Sequence, residues 1–185
     1  MKNPYAIGKN IYLRAPESED IDSDWYTWFS DPETTKYLAD RNLPNTKEKQ
    51  QLFLEEMKNS NTRIVLIICD KENDESIGVG NLSSISWVHR KADVALVIGN
   101  KSYRNGTTAV ETMTLLLKIA FQKLNLKNLL SHRLSNHDLT KAIEKIFEFK
   151  QVGCLEDINF IDGKYNDLII SQLKCENWVK RNPPK

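Results

Sequence analysis

From Ile98 to Phe121 the chain reads IGNKSYRNGTTAVETMTLLLKIAF, and its middle, Arg104 to Ala109, contains no large apolar residue. Small residues at that place have a chemical use. The first four N–H groups of an α-helix lack intrahelical partners and carry the positive end of the helix dipole, about half a unit charge. A phosphate or pyrophosphate seats there when the side chains are small enough to let it reach the backbone. Asn105, Gly106, Thr107, Thr108 and Ala109 meet that condition, and Arg104 offers a guanidinium for a charge-assisted contact. The plain alternative is a polar loop whose threonines begin a helix. No G-x-G-x-x-G follows the first strand and no G-x-x-x-x-G-K-[ST] occurs anywhere, which argues against the NAD- and ATP-binding folds that use them.

The elements that must position this loop are legible from periodicity. KNIYLRAP (9–16) alternates like a short strand, and SEDIDSDWYTWFSDPETTKYL follows as helix, with Ser18 as cap and Ile21, Trp25, Trp28 and Phe29 on one stripe. Asp31-Pro32 breaks it. A second helix covers 45–60, and TRIVLIICD (62–70) is apolar enough for a central strand. Strands at 76–89 and 91–99 complete a meander that runs into the loop and a helix from Thr107 to Leu124. A strand (126–134), a helix (136–148) and a strand–turn–strand with its turn at Asp162-Gly163 end the chain. With no repeat, low-complexity segment or linker, this order predicts a single α+β domain over residues 1–185.

Bulk composition narrows the function classes. The 26 basic residues nearly balance 25 acidic ones, so no electrostatic case for nucleic acid or an anionic membrane arises. The apolar stretches fall far short of the ~20 residues that span a bilayer, and MKNPYAIGKN lacks the apolar core of a signal peptide. Cys69, Cys154 and Cys175 form no metal-binding or redox spacing and read as buried free thiols in a reducing compartment. The expectation is a cytoplasmic protein with no metal.

The order of elements, with the small-residue loop at the head of its central helix, resembles the GNAT acetyltransferases over the whole chain. Both ends look like the branch that holds ribosomal-protein N-terminal and bacterial amino-sugar acetyltransferases. The resemblance implies a GNAT fold, a central mixed, mostly antiparallel twisted sheet flanked by helices. It also implies acetyl-coenzyme A as acyl donor and direct attack by an amine in a ternary complex. In the family the loop carries [RQ]-x-x-G-x-[GA] and holds the pyrophosphate. Here Arg104 and Ala109 fit, Thr107 replaces the first glycine, Gly106 lies one residue early, and Glu111 falls where the branch often has Glu. The strand before the loop would present backbone groups to the pantetheine over Ala95 to Ile98, the N–H near Val97 polarising the thioester carbonyl.

Acetyl transfer to an amine requires that the amine lose a proton and that the oxyanion be stabilised, and the leaving thiolate can take a proton. Asp93 is the candidate base, on the same strand face as Val97 and where the branch often has Glu; a solvated or salt-bridged carboxylate, with Arg90 or Lys91, is the bland reading. SNHDLTKAIEKIFEFK resembles the second cofactor element, N-x-x-[SA]-x-x-x-Y-E-K-x-G-F. Aligned on Phe149, it places His137, Thr140 and Glu144 at the Asn, small-residue and Tyr positions; aligned on Asn136, it needs an insertion. No tyrosine appears in either register, so Glu144 is the stand-in for the acid, against the reading of an exposed helical Glu beside Lys141 and Lys145.

For the acceptor, Trp28, Trp87 and His89 are the candidates, with Phe29 and Tyr37 as further aromatics; Trp25 and Trp28 also suit a core. The acceptor class expected first is a nucleotide-linked amino sugar. A protein N-terminus, an aminoglycoside, or a non-catalytic acyl-coenzyme A-binding role are the alternatives, and homodimer formation is left open.

Overall fold

The computed structural model describes residues 1–38 and 42–182. One sheet runs through the molecule in the order β1-β2-β3-β4-β5-β6-β8-β7. Its strands are β1 (Pro4–Ile7), β2 (Ile11–Arg14), β3 (Ile64–Asp70), β4 (Ser76–Ser86), β5 (Lys91–Ile98), β6 (Asn128–Leu134), β7 (Lys150–Ile161) and β8 (Lys164–Lys174). Every neighbouring pair is antiparallel except β5 and β6. The helices are α1 (Trp25–Trp28), α2 (Pro32–Thr35), α3 (Lys47–Asn59), α4 (Gly106–Lys118), α5 (Asp138–Ile146) and α6 (Cys175–Arg181), and α4 runs on into a π-helical turn, Ile119–Lys123. This is the α+β class expected from the order of elements, with the mixed, mostly antiparallel sheet that the resemblance implied.

Alternation along β5 sets the two faces. Ala92 and Val94 enter a core built with Ala109, Met113, Leu116 and Leu117 of α4. Val97 packs on the opposite side, against a core of Trp25, Trp28, Leu54 and Ile67. Because side chains on a strand repeat with period two, Asp93 and Ala95 share Val97's face, toward α1 and α3. The β7–β8 turn falls at Asp162-Gly163 as expected, both with positive φ (49° and 80°).

Four readings need correction. The long first helix is a 3₁₀ turn (Ser18–Asp22) followed by the separate short α1 and α2. Local side chains take over the backbone there: Ser23 Oγ donates to the Asp20 carbonyl at 2.6 Å and Thr27 Oγ1 to that of Asp24 at 2.6 Å. Strand β1 has no counterpart in the sequence reading, being four residues long and largely exposed. The C-terminal CENWVKR is helix rather than strand, docked by Trp178 on Phe121 with ring centroids 5.5 Å apart. Cys154 lies exposed on the outer strand β7, Cys175 is half-buried and only Cys69 is fully buried; all three are free thiols. No helix among the described residues is long and apolar enough to cross a membrane.

Candidate active site

The parallel strands β5 and β6 pair only at Lys91–Asn128, Ala92–Leu129 and Asp93–Leu130. Beyond that point β5 follows β4 as far as Ile98–Gly78, while β6 follows β8 as far as Leu134–Leu168. Twist therefore pulls the two apart and leaves Val94 to Ile98 with no strand neighbour on the β6 side among the described residues. Backbone groups of Ala95, Val97 and Ile98 border the resulting cleft, whose closed end is Asp93.

The loop after β5 is anchored from both sides. The N–H groups of Gly99 and Asn100 both donate to the Ile77 carbonyl, at 2.9 and 3.0 Å. The Trp28 indole packs directly against Gly99: a Cβ there would sit 2.0 Å from its Cδ2, so only glycine fits. Trp28 is thus 5% exposed and serves the core, which corrects its assignment to the acceptor.

Arg104 also differs from expectation. Its Nε donates to the Ile98 carbonyl (3.1 Å) and its Nη2 to the Gly99 carbonyl (3.1 Å), the Asp31 carboxylate (3.4 Å) and the Thr34 hydroxyl. The guanidinium is drawn back by Asp31 and braces the loop instead of reaching outward. Asp31 caps α2 and accepts from the N–H groups of Glu33 and Thr34. The Thr34 hydroxyl above all, then the Glu33 N–H, Lys101 and Arg104, hold its carboxyl down to about 2. A carboxyl depressed in the fold stabilises above its unfolded value, near 3.8, and that contribution disappears as pH falls through 2. Asp31→Asn is therefore expected to lower the melting temperature at pH 7, with the deficit shrinking between pH 4 and 2. Paired thermal melts at pH 7, 4 and 2.5 check this, and a deficit constant with pH would contradict it.

At the head of α4, Asn105 is the cap: its Oδ1 accepts from the Thr108 N–H at 2.9 Å and its carbonyl from the Ala109 N–H at 3.3 Å. The N–H groups of Thr108 and Ala109 are consequently occupied, and both side chains are buried, Ala109 at 1% exposure. That corrects their assignment as direct phosphate contacts. Gly106 and Thr107 remain. They occupy the first two helical positions, where no intrahelical acceptor exists, both are exposed, and a Cβ on Gly106 would meet nothing within 4 Å. Glu111, one turn on, accepts from the backbone and side-chain amides of Asn10 (2.8 and 2.9 Å) and so ties α4 to the β1–β2 turn.

Asp93 is half-buried, opposite Ser83 on β4 and Leu130 on β6. Among the described residues it has no ion-pair or hydrogen-bond partner; Arg90 instead binds Asn125 through Nε and Nη2 at 2.8 and 2.5 Å. On the same face, opposite Ala95, stands Asn81, whose Oδ1 is buried and unpartnered among the described residues. Sequence reasoning passed over Asn81 and Ser83, and only the strand register brings them beside Asp93.

On α5, Glu144 is 6% exposed, bound to Arg133 Nε at 2.9 Å and Ser171 Oγ at 3.0 Å, with Oε1 buried and unpartnered among the described residues. The exposed Glu between lysines is thereby corrected, and the carboxylate is engaged within the fold. His137, just ahead of α5, stacks on Tyr37 with ring centroids 3.9 Å apart, and burial, then Arg133, lowers its pKa. Asn136 is exposed, Thr140 half-buried, and Glu148 takes φ 61° immediately before Phe149. Trp87 and His89 are exposed in the β4–β5 turn, at the end of β5 remote from the loop, and Trp87 Nε1 donates to the Asn61 carbonyl at 2.7 Å.

Comparison with known proteins fits this geometry. Residues 10–146 match the model of the acetyltransferase (GNAT) domain. No curated protein matches the sequence. Among solved structures, the spermidine N-acetyltransferase of Vibrio cholerae in complex with CoA and spermine superposes with a TM-score of 0.85 at 18% identity, covering 92% of this chain and 98% of that one. An acetyltransferase (GNAT family) from Bacillus anthracis gives 0.79 at 15% identity, covering 92% and 98%.

Proposed function

The chain belongs to the GNAT acetyltransferase family, and from that premise we propose that it moves an acetyl group from acetyl-coenzyme A to the primary amine of a small polyhydroxylated molecule, an amino sugar. The observation that carries the reading is the cleft where β5 leaves β6, because it leads from Asp93, a carboxylate unpaired among the described residues, to a helix terminus where the N–H groups of Gly106 and Thr107 have no partner among them. The pyrophosphate sits on the N–H groups of Gly106 and Thr107, with Arg104 holding the loop in shape. The pantetheine lies along the free edge of β5, and a backbone N–H near Val97 polarises the thioester carbonyl.

Asp93 takes the proton of the attacking amine or orients it. Glu144, committed to Arg133 and Ser171, positions β6, β8 and α5 around the cleft instead of protonating the thiolate. The left-handed Glu148 ahead of Phe149 supports the register in which His137 and Thr140 flank the pantetheine, since the family pattern has glycine at that place. Val97 and Ile98 contribute through backbone alone. Trp87 and His89 form the acceptor's outer rim. A homodimer is compatible with this site.

Around Asp93 on its face, Asn81, Ser83, Ala95 and Leu130 are uncharged, and Lys91, two residues back, is cationic. One carboxylate matches one ammonium, and neutral hydrogen-bonding neighbours suit hydroxyls better than the several ammonium groups of a polyamine. Thiol release measured with hexosamines, nucleotide-linked amino sugars, spermidine, an aminoglycoside and N-terminal peptides tests the proposal. The highest kcat/KM is expected for an amino sugar. A higher value for spermidine or a peptide overturns the acceptor class, and cofactor binding without turnover on any amine overturns Asp93 as a working base.

A further inference from the structure

Strand β2 pairs with β3 only as far as Arg14–Ile67 and then turns away at Ala15-Pro16. The start of β3, Ile64 to Leu66, therefore lacks a strand neighbour on that side among the described residues, and a cavity of about 420 Å³ opens there. Leu54 and Met57 of α3 roof it, and Pro4 and Tyr5 of β1 with Pro16 wall it. By sheet order this cavity is separated from the acyl cleft by β4 and β5.

Its charge is one-sided. The charged side chains that line it are Lys58 and Arg63, and no carboxylate lines it among the described residues. Arg63 stands apart from the other described arginines. Arg14, Arg104, Arg133 and Arg181 hold carboxylates and Arg90 holds Asn125. Among the described residues Arg63 has only the ring of Phe53, 5.9 Å from its guanidinium carbon. Lys58 likewise has no ion-pair or hydrogen-bond partner among the described residues. A guanidinium held over an aromatic ring with its donors unused presents a fork suited to a carboxylate. An apolar cavity of this volume lies within the range of small-molecule sites.

We propose that this cavity binds a small amphipathic anion, a carboxylate on a compact hydrocarbon body, with the carboxylate on Arg63 and Lys58 and the hydrocarbon between Met57, Leu54 and Tyr5. It is a second ligand site, independent of the acyl donor and of the amine acceptor, and an ammonium ligand is repelled from it.

Calorimetric titration of the full chain with octanoate, octan-1-ol and octylammonium, in saturating coenzyme A, tests this. Octanoate is expected to bind about 10-fold more tightly than octan-1-ol, and octylammonium not at all. Arg63→Gln, an exposed position, is expected to raise the octanoate Kd about 10-fold and leave octan-1-ol unchanged. Met57→Trp, which fills the cavity, is expected to abolish binding of both while circular dichroism stays native. The site is overturned if octanoate does not bind, if octylammonium binds equally well, if coenzyme A displaces octanoate, or if Arg63→Gln leaves its Kd unaltered.

Discussion

Asp93→Asn is expected to lower kcat by about 10²–10⁴-fold, the range for loss of a general base, with the melting temperature nearly unchanged. The stability half of the expectation follows from the surroundings. Asp93 has no cationic or hydrogen-bonding partner among the described residues, so removing its charge orphans nothing. A half-buried, isosteric change of that kind shifts stability by no more than about 0.5 kcal/mol. The kinetic half follows from position. The carboxylate is at the last paired rung of β5 and β6, where the strands begin to part, and in the proposed reaction the amine gives up its proton there. Asparagine keeps an oxygen that accepts a hydrogen bond, so the acceptor still docks and KM moves less than kcat. Steady-state kinetics at saturating acceptor across pH 6–10 measure both effects. Near-normal turnover with an unaltered pH profile would remove Asp93 from the proton transfer.

Much of this site is readable from local sequence. The meander of β3, β4 and β5 and the entry into α4 follow from period-two alternation and from the small residues after Ile98, whereas the candidate base on β5 is what the family resemblance implies for a carboxylate at that place. Ala109 shows how local reading also goes astray. Taken with Gly106 and Thr107 it looks like part of a bare terminus, yet it stands four residues before Met113 and seven before Leu116, on the stripe that α4 buries. Helical phase outranks smallness there, and the same phase leaves Gly106 and Thr107 outside.

What local sequence could not show are pairings across long separations. Arg104 reads as a free cation until Asp31, 73 residues earlier, is brought against it. Glu144 reads as one of a row of surface charges on α5 until β6 and β8 supply Arg133 and Ser171. A buried guanidinium–carboxylate pair needs both partners to be tolerated, and nothing in either segment alone signals the other. Gly99 is similar, since its requirement for glycine comes from Trp28 packed over it.

The helix terminus itself is best tested at Gly106. Position 109 is unsuitable, because a larger side chain in that buried site disturbs the core whether or not a pyrophosphate binds. Gly106 has open space around its Cβ position and ordinary backbone angles, so aspartate fits without strain. A carboxylate at the first helical position favours the fold by about 0.3–1 kcal/mol through the dipole, and loss of glycine adds helix propensity. Without ligand, Gly106→Asp is accordingly expected to melt at or above the wild-type temperature. If the pyrophosphate rests there as proposed, the same carboxylate takes its seat and repels it. Loss of a charge-assisted hydrogen bond, about 1.5–3 kcal/mol, corresponds to roughly 10–100-fold weaker acetyl-coenzyme A binding. At a concentration of 100 Kd for the wild type, cofactor stabilises by about 2.7 kcal/mol, and for the variant by about 0.4–1.4 kcal/mol. Thermal shifts with and without acetyl-coenzyme A thus move in opposite directions, up for the free protein and down for the increment from cofactor. If the variant gains as much from cofactor as the wild type does, the pyrophosphate does not rest on Gly106 and Thr107, and the head of α4 is only the start of a helix.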